Sequence, residues 1–141
     1  MKKVAILLTV IAVAAVFVAC GSARQQTATR KVIKSTPAGN GLTVSLATSA
    51  GVLKHGNSEF TLTFEDSSGK PVDVGAVALT FQMPKMGTMA EMNNAASFTT
   101  TATPGIYNGK AQLEVAGEWL VKITYEGPKG RGEASFSVTT Q

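Results

Sequence analysis

The sequence predicts an all-β chain folded as a single β-sandwich of about seven strands. Three observations carry this. From Leu42 onward, apolar and polar residues alternate with a period of two. Clusters of Gly, Pro, Asn and Asp break that alternation at short intervals. No stretch beyond residue 41 keeps the 3.6-residue apolar period of a helix. Short strands joined by turns in this way are the pattern of a sandwich of roughly 100 residues, and one domain, residues 42–141, accounts for all of them.

The chain opens with Met1-Lys2-Lys3 and an apolar run of 15 residues, Val4 to Val18. That is the size of a secretory h-region, and shorter than the ~20 residues of a membrane-spanning helix. The sole cysteine follows in Phe17-Val18-Ala19-Cys20-Gly21-Ser22. This resembles a bacterial lipobox, with Phe17 where leucine is usual. By that resemblance residues 1–19 are a lipoprotein signal peptide, and Cys20 is lipidated and begins the mature protein. The alternative is a secreted protein with one free thiol. The expected place is the cell envelope, lipid-anchored to a bacterial membrane with the domain facing the periplasm or the exterior. Membrane lipid is then a partner through the Cys20 acyl chains, each buried CH₂ contributing ~0.8 kcal/mol. No second cysteine exists to form a disulfide, so the core must hold by packing.

Residues 20–41 are small and polar, with Gln25-Gln26-Thr27 and Ser35-Thr36-Pro37-Ala38-Gly39-Asn40. They read as a linker, because they carry too little apolar surface to fold alone. The strands then follow in order. Leu42, Val44 and Leu46 alternate with Thr43 and Ser45. Phe60, Leu62 and Phe64 do the same before the turn Glu65-Asp-Ser-Ser-Gly-Lys-Pro71. Ala76 to Phe81, threonine-rich Ser97 to Thr103, and Tyr107 to Val115 supply three more. Trp119, Val121, Ile123 and Tyr125 form the most regular run, and Gly127 to Gly132 turns it back into Ala134, Phe136 and Val138. Trp119 is expected in the core, with Phe60, Phe64, Phe81 and Phe136 around it.

Composition excludes several classes of function. The formal charge of +4 falls to +2 once Lys2 and Lys3 are removed, too mild and too scattered for nucleic acid. A single histidine, His55, and no cysteine in the domain leave no recognisable nucleophile–base set, so no enzyme is expected. No glycine-rich loop joins a strand to a helix, so nucleotide binding has no support.

The unusual stretch is Phe81-Gln-Met-Pro-Lys-Met-Gly-Thr-Met-Ala-Glu-Met92. It holds Met83, Met86, Met89 and Met92, four of the five methionines, each three residues after the last. A thioether is a soft, neutral donor suited to Cu(I). The spacing aligns the sulfurs on one side of a helical turn or gathers them in a folded loop, and Pro84 with Gly87 favours the loop. Methionine also serves as adaptable filler in irregular cores. Met83 continues the alternation Leu79, Phe81, Met83 and reads as core first, as a ligand second. Met86, Met89 and Met92 follow no such pattern. His55, in a polar connection between strands, is either a solvated loop residue or a further ligand to the same ion, since imidazole accepts both copper oxidation states.

Phe81-x-Met83-Pro84-x-Met86-Gly87, Pro104-Gly105-x-Tyr107 and Gly117-x-Trp119-x-Val121 together resemble the YtkA-like domain, which is similar to the FixH family. The resemblance runs from about Leu42 to Val138. It implies an immunoglobulin-like sandwich in an exported protein, and links to heavy-metal efflux adaptors or copper-oxidase assembly. Two functions follow from these readings. One is a membrane-anchored binder of a soft ion, Cu(I), through Met83, Met86, Met89, Met92 and His55. The other is a metal-free interaction module whose methionine loop contacts an envelope metal-efflux or oxidase-assembly protein.

Overall fold

The computed structural model describes residues 29–141; the expected signal peptide, Cys20 and the first part of the expected linker lie outside the described residues. Nine strands follow one another: β1 (Lys31–Gly39), β2 (Leu42–Thr48), β3 (Gly56–Glu65), β4 (Ala76–Met83), β5 (Met92–Ala95), β6 (Ser97–Thr100), β7 (Ile106–Leu113), β8 (Gly117–Gly127) and β9 (Gly130–Thr140). They make two antiparallel sheets, ordered β1-β2-β3-β7-β6 and β5-β4-β8-β9. With β1 set aside, four strands over four reproduce the A-B-E-D and C′-C-F-G order of immunoglobulin domains. Among the described residues no helix is long and apolar enough to cross a membrane.

The two strands beyond the expected seven are β1 and β5. β1 corrects the linker reading, since residues 31–39 of the expected 20–41 linker pair with β2 from Lys31↔Thr48 to Gly39↔Leu42. Its side chains are mostly exposed, and Ala38 alone is buried. The strand is therefore held by its ladder and by the tight turn Gly39-Asn40-Gly41, whose three residues all take positive φ. A hydrophobic pattern cannot reveal such a strand. β5 is the return arm of the methionine stretch, paired with β4 through Met83↔Met92 and Thr80↔Ala95.

β8 shows the period of two most clearly. Trp119, Val121, Ile123 and Tyr125 are buried, while Glu118, Leu120, Lys122, Thr124 and Glu126 face solvent. β4 and β9 bond to its two sides, so its inward row lies at the centre of the core. Trp119 is fully buried in one cluster with Phe60, Phe64, Phe81 and Phe136, as the alternation predicts. Its indole N–H donates to the Val115 carbonyl at 3.1 Å, so the ring enters the core without an unsatisfied donor. Edge-to-face pairs tie sheet to sheet: Phe60 with Phe81 at 5.7 Å and Phe64 with Tyr125 at 5.3 Å between centroids.

Both open sides of the sandwich are laced. On one, the edge strand changes sheets: β5 belongs to β4 and β6 to β7, and Ala96 between them donates its N–H to Leu79 O at 2.9 Å. On the other, Asn40 Nδ2 donates to Tyr125 Oη at 3.0 Å and to Arg131 O at 3.1 Å, joining the β1–β2 turn to β8 and β9.

Pro104-Gly105-x-Tyr107 is a structural corner. A side chain on Gly105 would meet Val72 backbone atoms at 2.5 Å, so only glycine allows this approach, and Gly105 O accepts from Phe64 N at 2.9 Å. Tyr107 Oη accepts from Val74 N at 3.3 Å, with Asp73 Oδ1 (3.1 Å) and Gly75 O (3.2 Å) within reach of its single proton. Burial above all pushes this hydroxyl above its usual pKa, so it stays protonated and able to donate.

Replacing Trp119 with Ala should destabilise the domain by ~3–5 kcal/mol in denaturant melts. Against a total of ~5–15 kcal/mol, that leaves it marginal. A loss below ~1 kcal/mol would contradict the central place given to the ring.

The turn after β3 gives a pH dependence. Asp66 Oδ1 accepts from Ser68 Oγ (2.6 Å), Ser68 N (2.8 Å) and Lys70 N (3.1 Å). These bonds, the Ser68 hydroxyl first, hold its carboxyl below the usual 3.8. A lowered folded value means that the contribution is present above about pH 4 and is lost as pH falls through the folded value. Asp66→Asn should therefore lose less thermal stability between pH 6 and pH 3 than the parent; an unchanged acid limb would contradict it.

Candidate functional site

The methionine stretch becomes a hairpin. β4 carries the chain outward to Met83, and Pro84, which has no N–H, interrupts the ladder beyond it. Pairing resumes between Met86 and Met89. Met89 N donates to Met86 O at 2.9 Å and Met86 N to Met89 O at 3.2 Å. Gly87 and Thr88 make the turn between them, with Gly87 at φ 55°. A side chain on Gly87 would meet nothing within 4 Å, so its need is conformational rather than spatial.

A spacing of three therefore produces cross-strand partners. Met86 faces Met89, and further down Met83 faces Met92. Residues that exchange both backbone bonds stand about 5.5 Å apart at Cα and send their side chains to the same face. Two thioethers on such a pair are close enough to share one ion.

Their surroundings differ sharply. Met86 and Met89 are 51% and 42% exposed, whereas Met83 is 2% exposed and belongs to the core. A side chain on Gly117 would come within 3.4 Å of Met83 Cε, so this sulfur arm is wedged against the start of β8. Met92 is half-buried against the core. Of the four expected sulfur donors, two are open, one is partly covered and one is enclosed. Glu91, beside them, takes a hydrogen bond from Asn93 Nδ2 at 2.9 Å, and Lys85 is exposed.

His55 shares this end of the sandwich. Its backbone N–H donates to Gln141 O at 2.8 Å, and its Nδ1 lies 3.2 Å from the same oxygen. Leu53 also bridges to Thr140. The imidazole is thus fastened beside the end of β9, while the methionines extend from β4, on the other side of β8. Two strand spacings amount to roughly 10 Å, so the fold brings His55 to the same end as the sulfurs without seating it among them.

Among the described residues, no three or more His, Cys, Asp or Glu side chains gather where they could hold a metal ion. Met86 and Met89 are paired across the turn, and a thioether suits soft ions rather than Zn²⁺, Ca²⁺ or Mg²⁺. The pairing of Met86 with Met89 is the feature that sequence reading missed. Its signal was present in the symmetry of the four methionines about Gly87-Thr88, a turn-forming pair.

Exposure sets an order of reactivity toward mild hydrogen peroxide. Met86 and Met89 should be converted to sulfoxides first, Met92 later, and Met83 only on unfolding, as read by peptide mass spectrometry. Early oxidation of Met83 in the folded protein would contradict its enclosure.

A family model described as YtkA-like matches residues 36–124, more than half of the chain. The match takes in β2 to β7, most of β8 and the whole methionine hairpin. No curated protein matches the chain, and no solved structure does.

Proposed function

The chain belongs to the YtkA-like family, and from that premise we propose a lipid-anchored envelope protein that binds a soft metal ion, Cu(I), at the tip of its methionine hairpin. The observation that supports this is the facing pair Met86 and Met89, whose side chains stand in solvent across a turn of two residues. Thioethers need no deprotonation to ligate, so binding is independent of pH over the range in which the domain is folded. Met92 faces Met83 across the base of the hairpin, on the core side, and stands apart from the pair at the tip. Met83 secures the base of the hairpin, and His55 lies outside the immediate set. Two thioethers leave coordination positions open to an incoming ligand. That arrangement suits passing an ion on, in metal handling or efflux, better than storing it.

Cys20 attaches the protein to the membrane in this proposal, and the role is binding rather than catalysis. The same exposed tip also supports a second reading, a metal-free contact surface for an envelope efflux or oxidase-assembly protein.

The double substitution Met86→Leu, Met89→Leu separates the two. Leucine keeps volume and apolarity at a folding cost under ~1.5 kcal/mol per site, but removes the donors. Titrating parent and variant with Cu(I) or Ag(I) against a competing chelator should show at least a roughly tenfold loss of affinity, about 1.4 kcal/mol. Equal affinities would eliminate the metal site and leave the contact surface.

A further inference from the structure

Four large apolar side chains are notably exposed among the described residues: Val32 (60%), Met86 (51%), Met89 (42%) and Leu120 (40%). All four lie toward one end of the sandwich, Val32 on the outer face of one sheet, Leu120 on the outer face of the other, and Met86 and Met89 beyond the end of β4. Val32 faces Ala47, one step from the end of β2, and Leu120 faces Gln82, one step from the end of β4. The opposite end presents Asn40, Ser68, Lys70 and Lys129.

The chain enters at the apolar end. Lys31 faces Thr48 at the end of the β1–β2 ladder, and its Cδ lies 3.1 Å from where a Gly51 side chain would begin. Eleven peptide steps separate Cys20 from Lys31, a span of at most about 40 Å. β8, with 11 residues, makes the sandwich about 36 Å long. Turning the polar end toward a bilayer holding Cys20 would demand nearly all of that span, drawn straight alongside the domain. The apolar end reaches the bilayer with no such demand.

We infer that this end is a bilayer-docking surface, and that the hairpin tip Met86-Gly87-Thr88-Met89 enters the headgroup region of the membrane to which Cys20 is attached. The orientation rests on the reading of Cys20 as the anchor; the apolar surface does not. The charges nearly balance here, with Arg30, Lys31, Lys54 and Lys85 set against Glu91, Glu114 and Glu118. Docking is therefore apolar and insensitive to salt, in contrast to a polybasic attachment. The surface also gives the soft-ion site a location, directly at the bilayer face, although docking itself needs no ion.

The test uses the full chain isolated from membranes, metal-free, with an environment-sensitive fluorophore on Thr88→Cys at the tip or on Lys129→Cys at the opposite end. In vesicles of neutral phosphatidylcholine, emission from position 88 should shift to the blue and be quenched by brominated acyl chains. Emission from position 129 should not change, and the signal at 88 should persist at about 1 M salt. Equal, solvent-like emission from both positions would overturn the proposal, as would quenching at 129 alone. Loss of the signal in salt would overturn its apolar basis. Mass spectrometry of the same material reports separately on Cys20. If no acyl chain is present, each label is placed in a Cys20→Ser background so that no second thiol takes it, and vesicles added from outside read the docking alone: quenching at 88 would sustain the surface, and its absence would overturn it.

Discussion

No disulfide joins the two sheets of this domain, since no cysteine stands in the described residues. Everything depends on side chains that meet across the interior, and the inward row of β8 is where they meet. Trp119, Val121, Ile123 and Tyr125 are flanked by the inward rows of β4 and β9 and faced by Phe60, Leu62 and Phe64 of β3. Because the side-chain period is two, a slip of one residue in β8 would send the whole row into solvent. The register is thereby fixed, and it fixes the positions of β4 and of the hairpin beyond it.

The methionine hairpin uses that rigidity unevenly. At its base Met83 is wedged against Gly117 and faces Met92, so the outer loop rises from a packed pair. Beyond Pro84 two backbone bonds join Met86 and Met89, and their side chains are exposed. One residue type thus plays two parts within ten positions. Thioether flexibility fills an irregular gap at the base, and thioether softness is presented at the tip. A packed base beneath an exposed turn sets two methionines opposite one another at the tip.

The fold was legible in the sequence because alternation and turn residues agree along most of its length. β2, β3, β4, β7, β8 and β9 all announce themselves by inward apolar rows, and Trp119 lies where its row places it. β1 did not, because it is fixed by ladder bonds and a left-handed turn rather than by burial. β5 did not, because its four residues are polar or half-exposed and pair only through the hairpin. The methionine hairpin was legible in its composition but not in its geometry. Composition singles out the methionines, while their facing arrangement and the separation of His55 arise from registers that one strand cannot reveal about another.

Entry and exit of the described chain lie at the same end, with Lys31 opening β1 and Thr140 closing β9, both at the sheet edges. This has a mechanical consequence. Tension between the two would not load the ladders in parallel, as it does when a strand is drawn lengthwise past its neighbour. It would open β1 from β2 at Lys31↔Thr48, and β9 from β8 at Gly117↔Thr140, one rung after another. Such a domain yields at low force, peeling from its edges while β3, β4, β7 and β8 are still closed around the tryptophan.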